Sequence, residues 1–237
     1  MQRMKRFGMF GDVRMMAYCV FCSTVCVGSD GKPETQDHCP SKIFLDKPHP
    51  SYLPVVPSCY ECNQSFSADE SYVATIFSCV ISESIDPDEN FRPKIARLLE
   101  SNWAIKESIS SQIQQTVEGC ILMPDWTRVE RTVKKLARGH LLHEFHEHFF
   151  DEPSRIEFMQ LSKLSRTKRE EFEGLPPIEM LPEVGSRAFI AVAEDNRLLH
   201  SWVVVQENRY RYLTSMKNGI EVRIVFCEEM AFLIEWT

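Results

Sequence analysis

The sequence predicts an α+β fold in three successive parts: a cysteine-rich module, a helical middle and an antiparallel β-sheet. Three observations predict it. Six of the nine cysteines fall between residues 19 and 62. Apolar residues then recur at helical spacing as far as residue 150. In the last fifty residues, β-branched and aromatic runs are broken by turn residues. At roughly 100–200 residues per domain, the 237 residues allow one large domain or two small ones. With 43% hydrophobic and 26% charged residues the composition is globular, which excludes disordered and collagen-like chains.

Residues 1–16 carry basic side chains, but Asp12 and Arg14 interrupt any apolar core of signal-peptide length. They read as a flexible lead-in, with Met15 or Met16 as alternative starts, and a cytoplasmic protein is expected. No stretch approaches the roughly 18 uncharged apolar residues of a membrane helix, so no membrane partner is expected. Lys and Arg number 27 against 34 Asp and Glu, a net charge of −7. A protein that coats nucleic acid by bulk attraction should be basic. Any nucleic-acid contact here must therefore come from a local patch or a partner subunit.

The cysteine count is odd and no export signal is evident, which argues against a disulfide framework. Four cysteines form two identical pairs, Cys19-Val-Phe-Cys22 and Cys59-Tyr-Glu-Cys62. A two-residue gap lets two thiolates on one tight turn face the same tetrahedral ion, and two such knuckles complete a structural zinc set. Cys26 and Cys39 have no partner at that spacing and read as spectators. Between the knuckles runs Glu34-Thr-Gln-Asp37-His38-Cys-Pro40-Ser-Lys42. After them come Asn63 and then Ser67-Ala-Asp69-Glu70. Ser67 and Glu70 fit a capping box, followed by Val73, Phe77, Val80 and Ile81 at helical spacing. Asp69 and Glu70 suit the first turn of such a helix. The order knuckle, hairpin, knuckle, helix is the layout of a treble clef over residues 17–82.

Taken in this order, Cys19-x2-Cys22, Asp37-His38-x-Pro40 and Cys59-x2-Cys62-Asn63 resemble the zinc-containing HNH endonucleases, the ββα-metal group. Leu53-Pro-Val-Val-Pro57 and Phe66-Ser-Ala-Asp69-Glu70 resemble one bacterial subgroup of it. The resemblance implies metal-dependent hydrolysis of DNA phosphodiesters, in a setting such as defence or restriction. It implies that His38 is the general base, within hydrogen-bond reach of a water. Asp37 and Asn63 would hold a catalytic divalent ion, and their oxygen donors suit Mg²⁺ or Mn²⁺ rather than a second zinc. One position departs from the family pattern: Tyr52 stands where an Asn normally braces the loop carrying the base. The alternative is an HNH-like zinc module without catalysis, serving nucleic-acid or protein binding. The acidic net charge implies that a partner protein delivers the DNA or that a homo-oligomer clamps it.

Residues 83–174 read as the helical region. Ser82–Asn90 is an acidic, turn-rich linker. Pro93 then opens one long helix through Ile95, Leu98, Leu99, Asn102, Ile105, Ile109, Ile113 and Val117 to Gly119. Cys120–Pro124 reads as a short strand or buried turn. A second long helix runs from Trp126 to Phe150, with Val129, Val133 and Leu136 buried. Arg128, Arg131, Lys135 and Arg138 form another stripe along it, which reads as a solvated face or, alternatively, a phosphate-tracking surface. The stretch His140–His148 has His143 and His146 at i and i+3, not the His-Glu-x-x-His spacing of zinc proteases. It reads as helix surface. Arg155–Phe172 is predicted helical, and Leu175–Pro182 is a proline-rich bridge. Residues 175–237 form the sheet region, from runs at Ala188–Ala193, Leu198–Gln206, Arg209–Thr214, Glu221–Cys227 and Ala231–Trp236. Asn218-Gly219 signals a hairpin, and the alternation along residues 221–226 predicts one wet face.

Overall fold

The structure is a computed structural model that describes residues 17–28, 34–90, 92–116, 119–178, 192–194, 197–216 and 219–237. The chain is mixed α+β, with a helical middle and antiparallel sheets. It gathers into two compact units. One comprises the described residues through Gln64 together with Lys134–Thr237; the other is Ser65–Val133. The two long helices, α1 (Tyr60–Ile81) and α4 (Trp126–Phe145), each contribute residues to both.

The first unit opens with a two-stranded antiparallel ladder of β1 (Thr35–His38) and β2 (Val55–Ser58). Its largest element is a five-stranded antiparallel sheet in the order β5-β11-β10-β9-β8. These strands are β5 (Arg155–Gln160), β8 (Val203–Gln206), β9 (Tyr210–Met216), β10 (Ile220–Phe226) and β11 (Met230–Trp236). A smaller ladder joins β6 (Val192–Glu194) to β7 (Arg197–Leu199). The rest of the run at Ala188–Ala193, and Asn218 of the hairpin signal, lie outside the described residues; β9 and β10 pair there with Met216 opposite Ile220.

Two expectations change in this unit. Arg155–Gln160 is an edge strand paired with β11, and only α5 (Arg166–Glu173) is helical. Ile156 and Phe158 alternate with Arg155 and Glu157, so the local period is two, and charge alone gave the helical impression. Ser165 caps α5 by accepting the Lys168 N–H at 3.4 Å. The second face of the sheet is also covered in part: Val225 and Ala231 pack with Leu161 and Phe172 in one buried cluster. The β10–β11 turn is closed by Cys227 and Glu228, both at positive φ (52° and 55°), with the Glu229 N–H on Phe226 O at 3.1 Å. Three residues join the strands, and the two left-handed ones at the centre of the turn match the twist of the flanking strands.

The second unit corrects another expectation. The long helix predicted from Ile95 to Gly119 is α2 (Pro93–Ser101), α3 (Trp103–Ser110) and a hairpin of β3 (Ile113–Thr116) with β4 (Gly119–Leu122). Asn102 makes the break. Its N–H closes α2 on Leu98 O, and its side chain caps α3 by accepting the Ile105 N–H at 3.1 Å. A short amide prefers such capping to a mid-helix position. Ile95, Leu99 and Ile109 are buried, as are Tyr72, Val73, Ile76 and Phe77 of α1.

Candidate metal centre and hairpin site

Helix α1 begins at Tyr60, directly after Cys59, so Ser67 and Glu70 lie inside it and do not cap it. Cys59 takes the cap position instead: its Sγ accepts the Cys62 N–H at 3.4 Å, as an N-cap oxygen would. The first knuckle repeats this contact, with the Phe21 N–H on Cys19 Sγ at 3.5 Å. Val20 N–H reaches Pro57 O at 3.1 Å and ties that knuckle to β2. The four sulfurs of Cys19, Cys22, Cys59 and Cys62 lie within 4.8 Å of one another. Four sulfurs at about 2.3 Å from one zinc stand about 3.8 Å apart in a tetrahedron. Cys22 Sγ and Cys59 Sγ are 3.7 Å apart. The donor set therefore fits one zinc ion.

The thiols respond both to burial and to one another. Burial pushes Cys59 up to about 11 and also raises Cys62. At Cys22 burial acts upward too, but hydrogen bonds with Thr24, Cys62 and Cys19 outweigh it and bring the thiol down to about 7. Without a cation, four adjacent thiols resist ionising together. Cys26 and Cys39 are buried but lie outside the set. Burial first, then Cys19, Cys59 and Glu34, raise Cys26 to about 11.

Strand β1 positions the other expected residues. Asp37 pairs with Val56 and His38 with Val55, so the two side chains leave opposite faces of the strand. Asp37 is only 8% exposed, and its Oδ2 lies 2.6 Å from Lys135 Nζ of α4. The same ammonium donates to Ser41 Oγ at 2.9 Å. His38 is half-buried; burial and then Lys42 push its pKa below the usual value, with His49 and Lys135 acting the same way and Asp37 opposing. Asn63 stands in the first turn of α1 and donates its Nδ2–H to Thr35 Oγ1 at 3.1 Å. Thr35 spends its own proton on Ser58 O at 2.8 Å, so the amide must donate here. Asn63 thus meets the strand face that carries Asp37, two residues from it, while His38 projects from the other face.

This arrangement does not fit a divalent ion at Asp37 and Asn63. The carboxylate already faces an ammonium, and Asn63 offers its donor side to Thr35. Among the described residues, the four cysteines are the only group of three or more His, Cys, Asp or Glu placed to share an ion.

Tyr52 is 51% exposed and braces nothing of the kind expected of an Asn there. The loop after His38 is held by other means. Cys39 N–H bonds Pro54 O at 2.9 Å. Farther along, Asp46 N–H bonds Gln206 Oε1 at 2.8 Å, while Gln206 Nε2 returns a bond to Asp46 O at 3.0 Å. Arg209 also pairs with the Asp46 carboxylate. The brace comes from the end of β8 and the turn that follows it, more than 150 residues downstream, which no local motif announces.

Only half of the basic stripe reaches solvent, Arg128 and Arg131, and both are tied to a carboxylate. Lys135 and Arg138 are 4% and 9% exposed. Arg138 donates to Phe150 O at 2.7 Å and Asp151 O at 3.0 Å. Arg128 Nε meets Asp69 Oδ1 at 2.8 Å, and Arg131 pairs with the other oxygen of that carboxylate. Asp69 is thus an arginine acceptor in mid-helix, not a first-turn acid. Helix α4 ends at Phe145, where His146 at φ 60° takes the left-handed position after the last turn. His140 is fully buried, against the helix-surface expectation. It stacks on Tyr212 with ring centroids 3.6 Å apart. Its Nε2 is 2.7 Å from Tyr210 OH and its Nδ1 is 3.4 Å from Cys39 Sγ. Tyr212 OH in turn donates to the buried Glu144 at 2.5 Å.

Two residues around His38 carried no role in the sequence reading. Lys42 and His49 act on its imidazole electrostatically. Lys42 falls in the same short run as Asp37-His38, and His49 sits between two prolines, so spacing to the base was the available signal. No family model, no curated protein and no solved structure matches the chain. No helix among the described residues is long and apolar enough to cross a membrane.

Proposed function

We propose that the chain is an HNH-type endonuclease that hydrolyses DNA phosphodiesters on a zinc-stabilised treble clef, in a defence or restriction setting. The observation that carries this reading is the placement of His38. It ends a strand whose partner runs directly into the cysteine cluster and helix α1. Its imidazole is half-buried and held toward the neutral form by burial and by Lys42. A neutral imidazole with partial solvent access can accept a proton from water as that water attacks phosphorus. The exposed Lys42 supplies positive potential for the phosphate beside it, in a chain whose net charge is −7. HNH enzymes use a divalent ion to stabilise the charge that develops on phosphorus and on the leaving oxygen. Asp37 and Asn63 do not offer that ion a place as they stand.

A plasmid-nicking assay with zinc-loaded protein and Mg²⁺ or Mn²⁺ tests the reading. His38→Ala should lower the rate by about 10²–10⁴-fold, the usual contribution of a general base. Equal rates in wild type and variant end the enzyme reading. A second reading, a non-catalytic HNH-like module that binds nucleic acid or protein, is favoured by one observation, the ion pair of Asp37 with Lys135. It predicts DNA or protein binding that His38→Ala leaves intact, without cleavage by either form.

A further inference from the structure

The ion pair between Asp37 and Lys135 joins the end of β1 to the middle of α4 inside one compact unit. Both partners are shielded, their side chains 10% and 3% exposed. A buried carboxylate needs a compensating charge, and the ammonium at 2.6 Å provides it. Ser41 Oγ takes a second ammonium proton at 2.9 Å, and the Phe21 ring lies 5.7 Å from the same nitrogen. Lys135 is therefore held from three sides, not reaching in from solvent.

The helix beneath it is fixed as well. One turn farther along, Gly139 brings the α4 backbone against Cys39, so closely that a Cβ there would stand 2.6 Å from Cys39 Sγ. His140 reaches Cys39 from the same turn. The backbone that carries Lys135 thus cannot drift from the strand that carries Asp37 without breaking these contacts.

From this we infer that Lys135 closes the Asp37 position against divalent cations: its ammonium occupies the place beside the carboxylate that an ion would need. The inference rests on the HNH reading only in taking that position as the catalytic ion's. A divalent ion and an ammonium compete for the same oxygens, and like charges a few ångströms apart repel strongly where water is excluded. While Lys135 holds its place, a divalent ion finds no room beside Asp37.

Manganese binding tests this without reference to cleavage. Zinc-loaded full-length wild type, Asp37→Asn, Lys135→Met and the double variant are titrated with Mn²⁺, and the electron-spin-resonance signal of the free ion is followed. Wild type and Asp37→Asn should leave the same free signal, since no ion sits at Asp37 in either. Lys135→Met should gain one site at least tenfold tighter than any in wild type, and Asp37→Asn in that background should abolish it. An Mn²⁺ site in wild type that Asp37→Asn removes overturns the inference, as does a folded Lys135→Met that gains none. Should Lys135→Met fail to fold, wild type against Asp37→Asn still decides by the first criterion. Absence of cleavage by wild type and every variant, with the manganese results as expected, would sink the enzyme reading and leave the exclusion of the ion by Lys135 standing.

Discussion

Gly139 lies against Cys39 so tightly that a Cβ built on it would stand 2.6 Å from the cysteine sulfur and 3.3 Å from its Cβ. The sulfur has little room to yield, because it already faces Leu136 O at 3.5 Å and His140 Nδ1 at 3.4 Å. Gly139→Ala should therefore destabilise the fold. Overpacking costs about 1–3 kcal/mol, offset by up to about 1 kcal/mol of helix propensity. The decisive readout is the coupling in urea unfolding. In a Cys39→Ala background the penalty for Gly139→Ala should shrink by about 1 kcal/mol or more. Equal penalties in both backgrounds would show that the contact does not limit the helix.

The cysteine cluster predicts a selective response to single substitutions. Cys59→Ser should lose the metal and lower the melting temperature, because ion binding and folding are one equilibrium at such a site. Cys26→Ser should keep one metal per chain, since its thiol is buried outside the set and raised to about 11. Metal analysis after gel filtration checks both. Loss of the ion from Cys26→Ser, or its retention by Cys59→Ser, would require a different ligand set.

His140 predicts acid sensitivity. It is fully buried, and burial, with His143 adding to it, holds its pKa well below the usual value. Cys39, Tyr210, Tyr212 and the buried Glu144 surround it. The unfolded chain takes up a proton here near pH 6.5 while the folded chain does not. Stability is therefore full above about pH 6.5 and falls below it, with a slope approaching about 1.4 kcal/mol per pH unit. Urea midpoints between pH 8 and pH 5 measure this, and His140→Gln should flatten the decline. His38 and His200 are shifted the same way by burial, so part of the slope should remain. A midpoint independent of pH across that range would contradict the burial of a neutral imidazole.

Asp69 predicts a stability effect confined to the second unit. Its side chain is 15% exposed and receives both Arg128 and Arg131, whose side chains are 31% and 39% exposed. Charge-assisted bonds to one carboxylate are lost together in Asp69→Ala, but water reaches both arginines. The expected cost is about 1–2 kcal/mol in chemical unfolding. An unchanged midpoint would show that the clamp is a surface contact of no consequence.

The parts of the fold legible in the sequence are those written in local spacing. Two Cys-x-x-Cys pairs announced a four-sulfur set, and alternation along residues 221–226 announced β10. Misreadings arose where one residue overrides a local pattern. Cys59 caps α1 with sulfur, so an oxygen-based capping box farther on misplaced the helix start. Asn102 breaks an otherwise continuous helical period. Charge masked the two-residue period of β5. Long-range partners were beyond reach altogether. Nothing near Lys135 in the sequence says that it is buried against Asp37, and nothing near Asp46 says that Gln206 and Arg209 hold its loop.

X-ray absorption at the zinc edge of the purified protein bears most directly on the framework that positions His38. The account predicts one zinc per chain with four sulfur neighbours at about 2.3 Å. Nitrogen or oxygen in place of any sulfur, or a folded protein that holds no zinc, would contradict it.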